Sequence, residues 1–98
     1  MTDNTRKIIE QILAVPCGKV SSYGAVAAKA GLPNGARQVV RTLHSMSEKY
    51  ALPWHRIIRA DGLVALEGEG RALQITLLRG EGVKVSKNSK IDMKKYGI

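Results

Sequence analysis

Few side chains in this sequence can do covalent or metal chemistry. Cys17 is the single cysteine, and the two histidines, His44 and His55, sit in different local contexts. One thiol forms no internal disulfide and builds no thiolate zinc site, so no structural metal and no cofactor is expected. Cys17 follows Pro16 in a turn with no histidine or acid beside it in sequence, and reads as an inert thiol. What the chain has in excess is positive charge. Sixteen Lys and Arg against eight Asp and Glu leave a formal charge of +8 and a pI near 10.0. That balance points to an anionic polymer or surface, nucleic acid first.

The elements that must carry those cations fit one small domain. Ninety-eight residues exclude a multidomain enzyme, and 44% apolar residues without phenylalanine predict an aliphatic core rather than disorder. No apolar run approaches the roughly 20 residues that span a bilayer, and Met1 to Lys7 lacks the apolar stretch of a secretory signal. A cytoplasmic protein with no membrane partner is expected, nucleoid-associated if bacterial. Ile8, Ile9, Ile12, Leu13 and Val15 recur at helical spacing over Thr5 to Val15, ended by Pro16 and Gly18. Ser21 or Ser22 caps a second helix, Tyr23 to Ala30, stopped by Gly31. After the turn Leu32-Pro33-Asn34-Gly35, a third helix from Ala36 to Ser45 carries Val39, Val40 and Leu43 on one side and Arg37 and Arg41 on another. Two short helices about a tight turn read either as a helix-turn-helix or as an αα-hairpin with a solvated basic face, and the charge favours the first.

Ser47 to Ala51 reads as a loop. Ile57-Ile58-Arg59 and Leu63-Val64-Ala65-Leu66 flank Asp61-Gly62, the signature of a β-hairpin. Glu67-Gly68-Glu69-Gly70 reads as a flexible loop, and Ala72 to Leu78 as a packed helix ending at Gly80 or Gly82. Residues 1–98 are thus expected to form one domain, with a core over 1–82 and a basic tail over 83–98 that adds Lys84, Lys87, Lys90, Lys94 and Lys95.

Four segments occur in a telling order: Gly18-Lys19-Val20-Ser21-Ser22-Tyr23-Gly24, Ala36-Arg37-Gln38-Val39, Pro53-Trp54-His55-Arg56-Ile57-Ile58 and Leu77-Leu78-Arg79-Gly80-Glu81-Gly82. Together they resemble the DNA-binding domain of the O6-alkylguanine-DNA alkyltransferases, from the first helix to Gly82. The resemblance implies a mostly α, winged-helix-like fold with a helix-turn-helix and a short β-hairpin. In those enzymes the Pro-x-His-Arg motif carries the cysteine that takes the alkyl group, and here Trp54 stands in its place. An indole offers no thiolate, so alkyl transfer by that route is lost. Trp54 at this position is similar to the alkyltransferase-like proteins, non-enzymatic binders of alkylated guanine that pass the lesion to nucleotide excision repair.

The same resemblance assigns roles. Arg37 matches an arginine that fills the stack vacated by a flipped base, and Tyr23 a tyrosine that crowds the 3′ phosphate of that nucleotide. The helix-turn-helix would lie in the minor groove, with Gly35, Ala36 and Val39 small enough for close approach and Arg41, Lys19 and Lys29 as candidates for phosphate contacts. The flipped guanine would enter a pocket bounded by Pro53, Trp54 and the loop Leu66-Glu67-Gly68-Glu69-Gly70, with Arg71 the nearest cation. Ser45 stands where the family usually has an asparagine tying the recognition helix to the active-site loop. His55 and Glu81 match the pair that activates the cysteine through a water; without a thiol they and Arg56 are expected to hold the motif turn. The expected partner is duplex DNA containing O6-alkylguanine, bound by a monomer, together with nucleotide excision repair proteins. Two other readings stay open: an enzyme using a water between His55 and Glu81, and a plain helix-turn-helix regulator.

Overall fold

A computed structural model describes residues 1–98. The first helix, α1 (Asp3–Leu13), starts ahead of Thr5 because Thr2 caps it, its hydroxyl accepting from the Thr5 amide at 3.2 Å. Ile8, Ile9 and Ile12 turn inward, and Leu13 is left exposed. The chain reverses through Gly18, which takes a left-handed φ of +85°. A two-residue strand, β1 (Ser21–Ser22), feeds α2 (Tyr23–Lys29). Of the two candidate serines Ser22 is the cap, its Oγ accepting from the Ala25 amide at 3.0 Å. The Leu32 amide donates to Ala27 and the Gly35 amide to Leu32, each at 2.8 Å, closing the turn into α3 (Ala36–Tyr50).

α3 runs past Ser45 and absorbs most of the segment expected to be a loop. Val39, Leu43, Met46 and Tyr50 continue one inward-facing series against the α1–α2 core. Thr42, Ser45 and Ser47 turn their hydroxyls back onto the carbonyls of Gln38, Arg41 and Leu43, so their polarity does not break the helix. Ala51, at φ +50°, ends it.

The expected β-hairpin does not form, although its turn does. The Gly62 amide donates to Arg59 at 2.9 Å, and the Asp61 carboxylate accepts from the Leu63 amide at 3.1 Å. Beyond one bond across the turn, the Arg59 amide donating to the Leu63 carbonyl at 3.2 Å, the flanking segments pair elsewhere: after a 3-10 turn (Trp54–Arg56), β2 (Ile57–Ile58) lies parallel to β1, with Ser21 opposite Ile57, while Leu63 bridges Lys90. The C-terminal segment outcompetes the hairpin because Gly62 is buried against it. The Ile91 amide donates to Gly62 at 2.8 Å, and a Cβ at Gly62 would collide with the Ile91 carbonyl oxygen.

α4 (Gly68–Gly80) takes in the stretch read as a Gly-rich loop. Arg71 secures its first turn by donating to the Leu66 carbonyl at 2.7 Å. The residues after Gly82 are no appended tail: Val83, Val85, Ile91 and Tyr96 are buried, and the segment around α5 (Met93–Tyr96) is tied to Val20, whose amide donates to Tyr96 at 2.9 Å and whose carbonyl accepts from the Ile98 amide at 3.0 Å. Successive strand residues face opposite ways, and β2 uses this to join two cores. Ile57 packs with Ile8, Ile12, Val26 and Val39, whereas Ile58 packs with Val20, Val64, Leu78 and Ile91. The result is a mostly helical domain with one short two-stranded sheet, and no helix is long and apolar enough to cross a membrane.

Candidate nucleic-acid interface and base pocket

The α2–α3 unit presents Arg37, Gln38 and Arg41 on an exposed face, and neither arginine has a carboxylate partner. Ala36 is half-buried at the start of α3. Gly35 and Val39 are not on that face. Gly35 is buried in the turn, where a Cβ would lie 2.8 Å from the Leu32 Cβ, and Val39 is fully enclosed by the core. Their small size serves the packing of α2 on α3, not approach to a groove. Lys29 is exposed in the last turn of α2, where a cation suits the helix dipole. Lys19 instead donates to the Lys95 carbonyl at 3.3 Å, fastening α5.

Beside that face lies a cavity of about 290 Å³. Trp54 and Leu66 line it, as expected. Pro53, Glu67 and Gly68 do not. Pro53 heads the 3-10 turn, its carbonyl accepting from the Arg56 amide at 3.0 Å, and Glu67 and Gly68 are exposed where α4 begins. The walls come instead from Tyr23, Val40, Leu43, His44, Ser47, Ile57 and Gln74. Val40, His44 and Ser47 follow one another at helical spacing; Val40 and His44 lay within the expected third helix without being assigned to a site, and the early end given to that helix hid Ser47. Gln74 carried a different signal, a polar residue one turn before the buried Leu78.

Trp54 is half-buried and meets the His55 ring edge to face, centroids 6.1 Å apart. Tyr23 is half-buried too, and burial pushes its phenol above the usual range. Gln74 holds the turn that presents Trp54. Its Nε2 donates to the carbonyls of His55 and Ile57 at 3.1 and 3.2 Å, and since both partners only accept, the amide orientation is fixed. Ser45 gives no tie between α3 and this turn; its hydroxyl donates to Arg41 on its own helix at 2.8 Å. The link is the Leu52 amide donating to the Ser47 carbonyl at 2.9 Å.

His55, Arg56 and Glu81 form one cluster behind the cavity. Arg56 grips both Glu81 oxygens, Nε to Oε1 at 2.9 Å and Nη2 to Oε2 at 2.7 Å, and its Nη1 donates to the Val15 carbonyl at 2.8 Å. His55 Nε2 lies 2.9 Å from Glu81 Oε2. The Arg56 hydrogen bonds hold the Glu81 carboxyl down to about 2 against the opposing effect of burial, with His55 adding to the effect. Arg56 is raised in turn, first by its bond to Glu81, with the nearby exposed Cys17 pushing the same way. No cysteine lines the cavity. The site can hold a flat group against an indole and carries no thiol to attack it.

A helix face with free arginines, set beside a small aromatic-walled cavity, defines a class of small helical domain that meets a polymer at one surface and admits a single planar group next to it. The chain belongs to the family described as 6-O-methylguanine DNA methyltransferase, DNA binding domain, whose model matches residues 3–83. It is 40% identical over 90 residues to a DNA base-flipping protein of Vibrio parahaemolyticus, covering 92% of this chain and 90% of that protein. To alkyltransferase-like protein 1 of Schizosaccharomyces pombe it is 33% identical over 85 residues, 85% of this chain and 79% of the other. The crystal structure of S. pombe Atl1 in complex with damaged DNA containing O6-carboxymethylguanine superposes with a TM-score of 0.86 at 30% identity, covering 98% of this chain and 94% of that one.

Proposed function

We propose that this protein is a non-enzymatic sensor of O6-alkylguanine in duplex DNA: it lays α2 and α3 as a helix-turn-helix in the minor groove, rotates the lesion into the Trp54 cavity, and directs it as a monomer to nucleotide excision repair. The observation that carries this reading is Trp54 as a cavity wall, at the motif position where the resembling enzymes keep their nucleophile. A relative named for base flipping and a structural neighbour bound to damaged DNA support it.

A base in a duplex must leave the stack before a small domain can inspect it, which costs a few kcal/mol. Arg37, exposed and unpaired, supplies a planar cation for the vacated space. Tyr23 lines the cavity, and in this reading its ring crowds the phosphate of the rotating nucleotide. Arg41 holds the backbone, which positions the protein without reading sequence. The minor groove carries little sequence information, which suits a protein that must find a lesion in any context. The cavity, on the order of 300 Å³, is at the small end of ligand sites and fits one base with a short substituent. The indole stacks on the base face, and no group needs in-line placement for attack, so alkyl groups of several sizes fit.

An enzyme working through a water at His55 and Glu81 has less support. A general base works best with a pKa near the operating pH, and Glu81, forked by Arg56, is held near 2. Neither His55 nor Glu81 lines the cavity. A plain regulator would have no use for an aromatic cavity beside its recognition helix. The test is prolonged incubation with an O6-methylguanine duplex followed by intact mass analysis of both partners. Protein and DNA masses are expected to stay unchanged while the complex persists; a methyl group gained by the protein, or guanine recovered in the DNA, contradicts the proposal.

A further inference from the structure

Another hollow of the molecule is made wholly by the segment after Gly82. It is a basin of about 530 Å³ lined only by residues between Lys84 and Tyr96, and it shares no residue with the Trp54 cavity. Val85, Ile91 and Tyr96 give it an apolar floor, and Lys84, Lys90 and Lys95 stand around it. None of these three lysines has a carboxylate partner. The one acid in the lining, Asp92, is occupied by capping α5, its Oδ1 accepting from the Lys94 amide at 3.0 Å. Lys95 lies over the Tyr96 ring with its Nζ 5.3 Å from the centroid, so one lysine already leans across the floor.

The basin is held in shape. The Ser86 amide donates to Lys90, the Val64 amide to Ser89, the Ile91 amide to Gly62 and the Val20 amide to Tyr96, all within 3.0 Å. A shallow surface already held in shape loses little freedom when it binds. Its pattern, apolar floor and unpaired cationic rim, is complementary to a peptide that carries aliphatic or aromatic side chains between carboxylates. A duplex backbone fits less well. Phosphates offer nothing to place on Val85, Ile91 and Tyr96, and no lining residue comes from α2 or α3.

We propose that this basin docks an acidic, apolar-tipped peptide segment of another protein, and does so while the Trp54 cavity, with which it shares no lining residue, is occupied by DNA. The probe is a fluorescein-labelled peptide in which Glu and Asp flank a Leu-Phe pair, titrated by anisotropy against the full chain, alone and saturated with a lesion duplex. Binding is expected in both conditions, and to fall by roughly tenfold or more when Leu and Phe are replaced by serine and in the variant K84E/K90E/K95E. Reversal of Lys7 and Lys29, outside the basin, is expected to change peptide affinity by less than about threefold. The triple variant lowers the formal charge from +8 to about +2 and is expected to weaken lesion and plain duplex in parallel, leaving the ratio between them within about threefold of the native chain's. Equal binding of the serine peptide reduces the effect to general charge and overturns the proposal. So does an absence of peptide binding in the native chain, or displacement of the peptide by duplex, which would assign the basin to the DNA footprint. These outcomes do not depend on whether the DNA contains a lesion, so failure here is separable from failure of the sensor reading.

Discussion

Arg37 projects from the first turn of α3 with no internal partner to lose. Its replacement by alanine therefore reports on a ligand rather than on folding. Arg37→Ala is expected to weaken lesion-duplex binding by about 1–3 kcal/mol, the scale of a lost stacking or base contact, with little change on unmodified duplex. An equal loss on both duplexes, read by parallel titrations, would make Arg37 a phosphate contact. Glu81 makes the opposite case, a residue with an internal task. Its carboxyl is held at about 2 against an ordinary 4.5, and its side chain is 17% exposed. The folded state therefore favours the charged form. The associated stability is fully present above pH 4.5 and lost as pH falls through about 2. The loss is roughly 3 kcal/mol over that window. Urea unfolding at a series of pH values measures it, and Glu81→Gln is expected to remove this part of the acid sensitivity while lowering stability at neutral pH.

At the level of elements, the α2–α3 turn depends on a missing side chain. Gly35 has an ordinary negative φ of −98°, so its constraint is space: a Cβ would approach the Leu32 carbonyl oxygen to 2.9 Å as well as its Cβ. Gly35→Ala is expected to cost about 1–3 kcal/mol, measured as a lower urea midpoint with unchanged slope. The sequence placed this turn correctly because Gly31 and Gly35 punctuate it and the periodic apolar residues resume after it. It misplaced the end of α3 because serines and a lysine look like loop, and only the back-bonded hydroxyls and the inward Met46 and Tyr50 explain why they are helical. Asp61-Gly62 predicted a local hairpin, and a local signal cannot reveal that Leu63 and Gly62 are claimed by residues some thirty positions later. The same distance blindness hid Tyr96 and Ile91 as core residues, whose neighbours in sequence are mostly lysines. For the site, Trp54 and Leu66 were legible from the motif and its spacing. His44, Ser47 and Gln74 were not: Ser47 lay beyond the expected end of α3, and His44 and Gln74, although inside expected helices, meet at the cavity only through the packing of distant segments.

On the scale of the whole molecule, 38 × 26 × 21 Å, charge and cavity do separate work. A formal charge of +8 is expected to attract any duplex through counterion release, with an affinity for plain DNA that falls steeply with salt. The Trp54 cavity is walled mainly by apolar and neutral groups, whose contacts are short-ranged and little screened. On the proposed function, lesion preference belongs to the cavity and general affinity to the basic surface. The measurement that bears most directly on this account is a paired titration of two duplexes of identical sequence, one with guanine and one with O6-methylguanine at the same position, repeated at low and physiological salt. The modified duplex is expected to bind about tenfold tighter or more, and this ratio to hold while both affinities drop with salt. Equal affinity for the two duplexes would contradict it.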